Sequence, residues 1–256
     1  MIYLILIFLS LPSLFAKSLF DLSYGMQGRT LPALGAEVYA DSGYNLKIWG
    51  EKKEPKDVLY GLIRPSVSVS SSGVINSAKA EIEVYPISFI GFAAGRQIIH
   101  SNYDFPFFDC KTVQCQGEFM RNYVESKMVL GYKGFIALGN YRVDTLRSPN
   151  NDEPMADWRH VIIGEGGEEV QIEKKLLIGK FFGANLAGVL AENIQFQGSR
   201  ERKESYAAVY QVRRNDTQYM LGAGIFHSTQ QPMGLIIYFR IHHQMLPSLK
   251  LNALMY

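Results

Sequence analysis

The chain has little cysteine, little charge imbalance and no long hydrophobic run after its first residues: two Cys in 256 residues and a formal net charge of +2. The absence of a basic excess removes the electrostatic case for nucleic acid, which needs a strongly positive surface. Beyond Lys17 no stretch has the length and apolarity of a transmembrane helix, about 20 residues, so an α-helical membrane protein is excluded. Helical spacing is nowhere sustained for three turns. Fifteen Tyr and fifteen Phe are plentiful by contrast. A soluble core or the aromatic girdles of a membrane barrel could both absorb them.

Residues Ile2 to Ala16 are almost all apolar. That run is too short to span as a helix and suits the apolar region of a secretory signal, with Pro12 breaking the helix before small Ala16. The expected division is a signal peptide at 1–16 and one domain at 17–256. Two details depart from the pattern: no Lys or Arg precedes the run, and Leu14 stands where a small residue is preferred. The competing reading is a buried N-terminal strand or helix. No Cys follows the expected cut, so a lipoprotein anchor is not expected.

From residue 18 onward the dominant period is two. Ala78, Ala80, Ile82 and Val84 alternate with Lys79, Glu81 and Glu83. Only a strand turns such a segment into one apolar and one charged face. Phe135, Ala137, Gly139, Tyr141 and Val143 repeat the pattern, as do Val170, Ile172, Leu176 and Ile178, where Lys174 interrupts the apolar face. Met233, Leu235, Ile237, Phe239 and Ile241 give the last clear case. The fold class is all-β.

Tight joints, such as Tyr132-Lys133-Gly134 and Arg213-Arg214-Asn215-Asp216, alternate with long polar ones from His100 to Gln116 and from Arg147 to Gly164. A transmembrane barrel has short turns on one side and long loops on the other, whereas a sandwich mixes them. Strands near 19–28, 36–50, 57–70, 74–85, 88–99, 117–131, 134–146, 165–179, 183–195, 204–213, 218–228 and 233–243 make about twelve, with ten or fourteen as alternatives. Residues 249–256 would add a thirteenth to a class that prefers even numbers. Either a hairpin near Trp158 to Gly164 has been passed over or one of these strands lies outside the wall.

In these respects the chain resembles the outer-membrane β-barrel proteins of Gram-negative bacteria as a broad class. A signal-like start, alternating strands, unequal joints and a terminal aromatic carry the likeness, over nearly all of the mature chain. Tyr256 and Leu254 match the class's closing pattern, while Asn252 and Lys250 depart from it. The resemblance implies an antiparallel up-and-down transmembrane barrel in the cell outer membrane, with membrane lipid and the barrel assembly machinery as partners. Spanning strands must close on themselves, because lipid offers no partner for backbone N–H and C=O groups. The expected lumen-facing charges are then Glu81, Glu83, Arg121, Glu125, Lys127, Arg142, Asp144, Glu169, Glu173 and Arg240. A soluble sandwich or lipocalin-like barrel would show the same alternation.

Few residues invite chemistry. Cys110 and Cys115 sit five apart in a polar loop and read as a disulfide stiffening it. Metal binding there would need further ligands at suitable spacing, and none is expected. His100-Ser101 and His227-Ser228 test for a lipid hydrolase. Adjacent strand residues point to opposite faces, so neither pair forms a dyad in regular geometry, and no catalytic residue is assigned. His242-His243 reads as a polar strand end. The Phe-rich segment Tyr103 to Asp109 either packs within its loop, constricts the mouth, dips into the outer leaflet or meets a partner. No cofactor is expected. The expected function is a small pore or structural barrel without catalysis; the alternatives are an adhesion barrel acting through loops 100–117 and 147–164, and a lipid hydrolase. In the pore reading, the mixed-sign lumen would give little anion or cation preference.

Overall fold

The computed structural model describes residues 20–29, 35–50, 60–148, 150, 153–157, 159–231 and 233–246. The expected signal peptide and the expected extra strand at 249–256 lie outside these residues. Among them there is no helix. The strands are β1 (Phe20–Arg29), β2 (Gly35–Tyr44), β3 (Leu46–Trp49), β4 (Gly61–Ser71), β5 (Ile75–Ile87), β6 (Ile90–Ser101), β7 (Gly117–Tyr132) and β8 (Phe135–Arg147). They continue as β9 (Met155–Asp157), β10 (Ile162–Gly164), β11 (Glu168–Phe182), β12 (Asn185–Phe196), β13 (Arg202–Arg214), β14 (Thr217–Ser228) and β15 (Gly234–Leu246).

Each wall strand pairs antiparallel with its chain neighbour, β1 pairs with β15, and β2 pairs with β4, so the sheet has no free edge. The short β3 follows β2 along the same side of β4. Twelve strands therefore close the barrel, and the parity question raised by the sequence dissolves. The overlooked hairpin exists: β9 pairs with β10, but in the long loop between β8 and β11 rather than in the wall.

The break between β2 and β3 has a local cause. The β2–β4 ladder stops at Gly43 opposite Ser66, and the β3–β4 ladder begins at Leu46 opposite Ile63. Pro65 lies in the gap, and a proline has no N–H to give a ladder. The tight turns follow from their residues too. Tyr132 pairs with Phe135 around Lys133 (φ 48°) and Gly134 (φ 83°), the two positive dihedrals of a type I′ hairpin.

Apolar side chains face outward along the wall. Ile82, Phe92, Val124, Leu130, Ile178, Val189 and Leu221 are all exposed, as are Leu235 and Ile237. A continuous belt of this kind is far larger than the apolar patches of soluble monomers and is the lipid-facing surface of a membrane barrel. The opposite face of the same strands carries the ion pairs.

Candidate functional site

The barrel lumen is filled in layers. Nearest the short turns, Val129, Ile136, Leu138, Leu177, Leu186 and Val209 form a buried apolar cluster, with Phe89, Leu190 and Tyr238 against it. These residues come from β7, β8, β11, β12 and β13, each at the inward parity of its strand.

Above that layer the inward positions turn charged. Arg64 of β4 ion-pairs with Asp21 of β1, Asp41 of β2 and Glu83 of β5. Glu83 also meets Lys127 Nζ at 3.1 Å and accepts a hydrogen bond from Tyr85 Oη at 3.1 Å. Tyr123 Oη donates to Glu81 Oε2 at 2.6 Å, and the Arg142 guanidinium lies 3.8 Å over the Tyr123 ring. Arg142 pairs with Asp144 at 2.7 Å, and Arg121 approaches the same carboxylate at 3.8 Å. Across the lumen Lys175 bridges Glu173 and Glu192, and Lys203 holds Glu192 at 2.9 Å. Buried charge is tolerated only when paired, and here each carboxylate has a cation beside it or a phenol donating to it.

Eight of the ten charges expected in the lumen belong to these groups of ion pairs: Glu81, Glu83, Arg121, Lys127, Arg142, Asp144, Glu173 and Glu125, whose carboxylate lies 3.6 Å from Lys127 Nζ. The other two stand apart. Glu169 accepts a hydrogen bond from the Glu165 backbone N–H at 2.8 Å near the outer rim. Arg240 donates to Tyr39 Oη at 3.1 Å on the β15 side. Asp21, Asp41, Arg64, Lys175, Glu192 and Lys203 complete these groups and were not among the expected lumen charges. Period-two spacing puts Lys175 on the polar face with Glu173, and it could have found Arg64, two before Ser66 and the small inward residues that follow it.

The long loops then close the outer mouth. Met155 and Ile162 of the β9–β10 hairpin are buried among Ile99, Phe119, Leu146, Ile194 and Phe196 of the wall. Beside them Asp157 accepts hydrogen bonds from Gln171 Nε2 at 2.6 Å and from the Arg159 and His160 backbone N–H groups. His160 Nδ1 lies 2.7 Å from Asp157 Oδ2. Burial alone would raise the Asp157 carboxyl, but His160, Arg121 and these donors hold it far below the ordinary carboxylate range. Burial pushes His160 down, against the pull of Asp157, so its imidazole is neutral and gives Nδ1–H to the carboxylate. No periodic signal marks these loop residues, which is why sequence reading passed over them.

Outermost, the Phe-rich loop packs on the hairpin. Phe105, Phe108, Val113 and Cys115 cluster with Ala156 and Val161, and Phe107 packs against them. Backbone bonds from Gln114 N to Pro154 O (2.7 Å) and Ala156 N to Gln114 O (3.0 Å) join the two loops. Cys110 and Cys115 are disulfide-bonded, with Cα atoms 5.5 Å apart. The Phe-rich segment is thus internally packed over the mouth.

Metal-ligand geometry occurs at one buried place among the described residues: atoms of His160, Glu173 and Glu192 all lie within 4.8 Å of one another. Lys175 and Lys203 already occupy both carboxylates, so a dication would have to displace two ammonium groups. At the mouth, Asp104 approaches Cys110 and Cys115, whose sulfurs are bonded to each other and offer no thiolate. His100 and His227 are exposed on the outer side, whereas Ser101 and Ser228 are each 1% exposed and face inward. The two halves of each pair are on opposite sides of the wall. His242 meets Tyr39 Oη at 3.0 Å and His243 meets Thr217 Oγ1 at 2.8 Å, likewise on opposite faces.

A closed twelve-strand antiparallel wall with a filled lumen and unequal loops defines the class: this is the fold of outer-membrane β-barrels. Solved structures of that class are similar to it in different degrees. An outer-membrane channel from Pseudomonas putida F1 superposes with a TM-score of 0.51 at 8% identity, over 91% of this chain and 97% of that one. The β domain of the Bordetella autotransporter BrkA gives 0.47 at 9% identity, over 90% and 99%. LpxR from Salmonella typhimurium gives 0.44 at 8% identity, over 87% and 99%. No family profile and no curated protein sequence matches the chain.

Proposed function

We propose that the protein is a closed outer-membrane barrel, a structural and surface-presenting scaffold rather than an open pore. One observation carries this reading: Met155 and Ile162 of the loop hairpin are buried inside the wall at 1% and 0% exposure, so the outer mouth is corked by the chain's own loop. Below the cork lie the ion-pair layer and then the apolar layer, so an ion would meet three successive barriers. The cork and the disulfide-bonded loop form one packed cap, which is the face turned outward. A cleft beside the cork, lined by Glu37, Ser70, Ser77 and Arg121 among others, is about 30 Å³, room for a water or two.

A planar-bilayer recording of folded protein tests the reading. Silence from heat-modifiable, correctly folded barrel is the expected result, and discrete conductance steps from the unaltered protein would overturn it. A second reading, a gated channel, is the one that the likeness to the Pseudomonas putida channel suggests; voltage-dependent steps would favour it.

A further inference from the structure

We propose that the outer wall around β11, β12 and β13 docks a second copy of this chain, about a two-fold axis parallel to the barrel axis and passing near Asn193. The inference rests on the reading that this wall faces lipid. One row of directly paired outward residues there is polar from end to end: Ser126 of β7, Tyr141 of β8, Lys174 of β11, Asn193 of β12 and Glu204 of β13. The row one step nearer the short turns passes through Met128, Gly139, Leu176, Ala191 and Tyr206, and carries no charge.

Lys174 is exposed and makes no ion pair among the described residues. Glu204 makes none among them either, and its carboxylate accepts a hydrogen bond from Asn193 Nδ2 at 3.3 Å. The two charges flank β12, one on each adjoining strand, and are not in contact within the chain. Unpaired charge of this kind is unfavourable against hydrocarbon. A two-fold axis at Asn193 removes the problem twice over. It brings Lys174 of each copy to face Glu204 of the other, since an isologous contact exchanges the two sides of the central strand. The two Asn193 side chains then meet near the axis, where each amide can donate to and accept from its mate. Below them the outward face of β12 carries Ala191, Val189 and Ala187, apolar side chains no larger than valine, over which two walls can approach.

Cross-linking in intact membranes tests this. Cys110 and Cys115 are bonded to each other, so an introduced thiol is the reactive one. Asn193→Cys should oxidise to a reductant-sensitive dimer, while Val69→Cys, exposed on β4 away from this sector, should not. Lys174→Glu or Glu204→Lys alone should cut the dimer yield by roughly tenfold, because like charges then face each other. The combined exchange Lys174→Glu with Glu204→Lys should restore it. Heat-modifiable mobility and membrane fractionation are scored for every variant. An embedded, heat-modifiable Asn193→Cys barrel that stays monomeric overturns the docking alone, as does failure of the combined exchange to restore the dimer. A chain that fractionates as soluble overturns the membrane reading and the docking with it. Loss of co-purifying anionic lipid on Lys174→Glu, with no dimer in any variant, would assign Lys174 to a lipid phosphate instead.

Discussion

Arg64 on β4 is bonded to Asp21 on β1 across the strand that separates them, and it can lie there because residue 43 of that strand is glycine. Arg64 Nε donates to Asp21 Oδ2 at 2.8 Å, and a Cβ at Gly43 would stand 2.3 Å from the same nitrogen. Three strands, β1, β2 and β4, are thus tied from the inside at the seam where the barrel closes. Asp41 and Glu83 share the same guanidinium.

Arg64→Met should therefore destabilise the barrel by about 3–5 kcal/mol, the scale of stranding buried carboxylates without their cation. Gly43→Ala keeps every charge but forces the guanidinium aside, and overpacking of this kind costs about 1–3 kcal/mol. Urea unfolding of barrels refolded in lipid vesicles checks both, with the midpoint falling further for Arg64→Met. Equal midpoints for Arg64→Met and the unaltered protein would show that the seam needs no such tie.

The cap should loosen in acid. Asp157 has its carboxyl held down in the folded cap, so its stabilisation is present above the unfolded value of about 3.9 and is lost as pH falls through it towards the folded value. Burial lowers the value of His160 as well, so below about pH 6.5 the unfolded loop takes up a proton more readily than the docked imidazole does. Both act in the same direction. Cleavage of the 148–167 loop by an acid-tolerant protease should rise between pH 7 and pH 4. Asp157→Asn, which removes the carboxylate contribution, should raise cleavage at pH 7 and flatten the response below pH 5.

How much of this could be read in advance depends on whether a residue sits in a periodic segment. Glu81 and Glu83 alternate with Ala80, Ile82 and Val84, so the strand period alone puts them on the face opposite the apolar one. The same rule located all twelve wall strands, because the lipid-facing residues of each strand are mostly apolar and the turns on one side are short. It does not say which charges meet. Arg64 and Asp21 are separated by 43 residues and one intervening strand, and only the closure of β2 onto β4 brings them together. His160 and Asp157 lie in a loop that has no period, and the entry of that loop into the lumen is a tertiary event. Lys174 was visible as an interruption of an apolar face, but its relation to Glu204 needed the register of three strands.

The disulfide should matter to the cap and not to the wall. Cys110 and Cys115 close a loop of a few residues, worth about 2 kcal/mol in a chain-entropy account. The cluster it supports involves Phe105, Phe108 and Val113 of one loop and Ala156 and Val161 of the other. Replacing both cysteines with serine should leave heat-modifiable mobility unchanged while exposing residues 102–116 to protease. Loss of the folded band in that variant would mean that the cap is needed to close the barrel.

Opening the lumen should take more than removing the cork. The loop hairpin, the ion-pair layer and the apolar layer stand in series, and a current is set by the largest remaining resistance. Deleting residues 153–164 removes Met155, Ile162, Asp157 and His160 but leaves Leu138 and Leu177 buried at 0% and 5% exposure near the short turns. That deletion alone should stay silent or nearly so in planar bilayers. Leu138→Ser with Leu177→Ser in the same chain should then give small, discrete steps. Their selectivity should be weak, because Glu83, Glu125 and Asp144 line the opened path together with Lys127, Arg142 and Lys175. Full-sized steps from the deletion alone would place the whole barrier in the cork, and the two lower layers would then conduct.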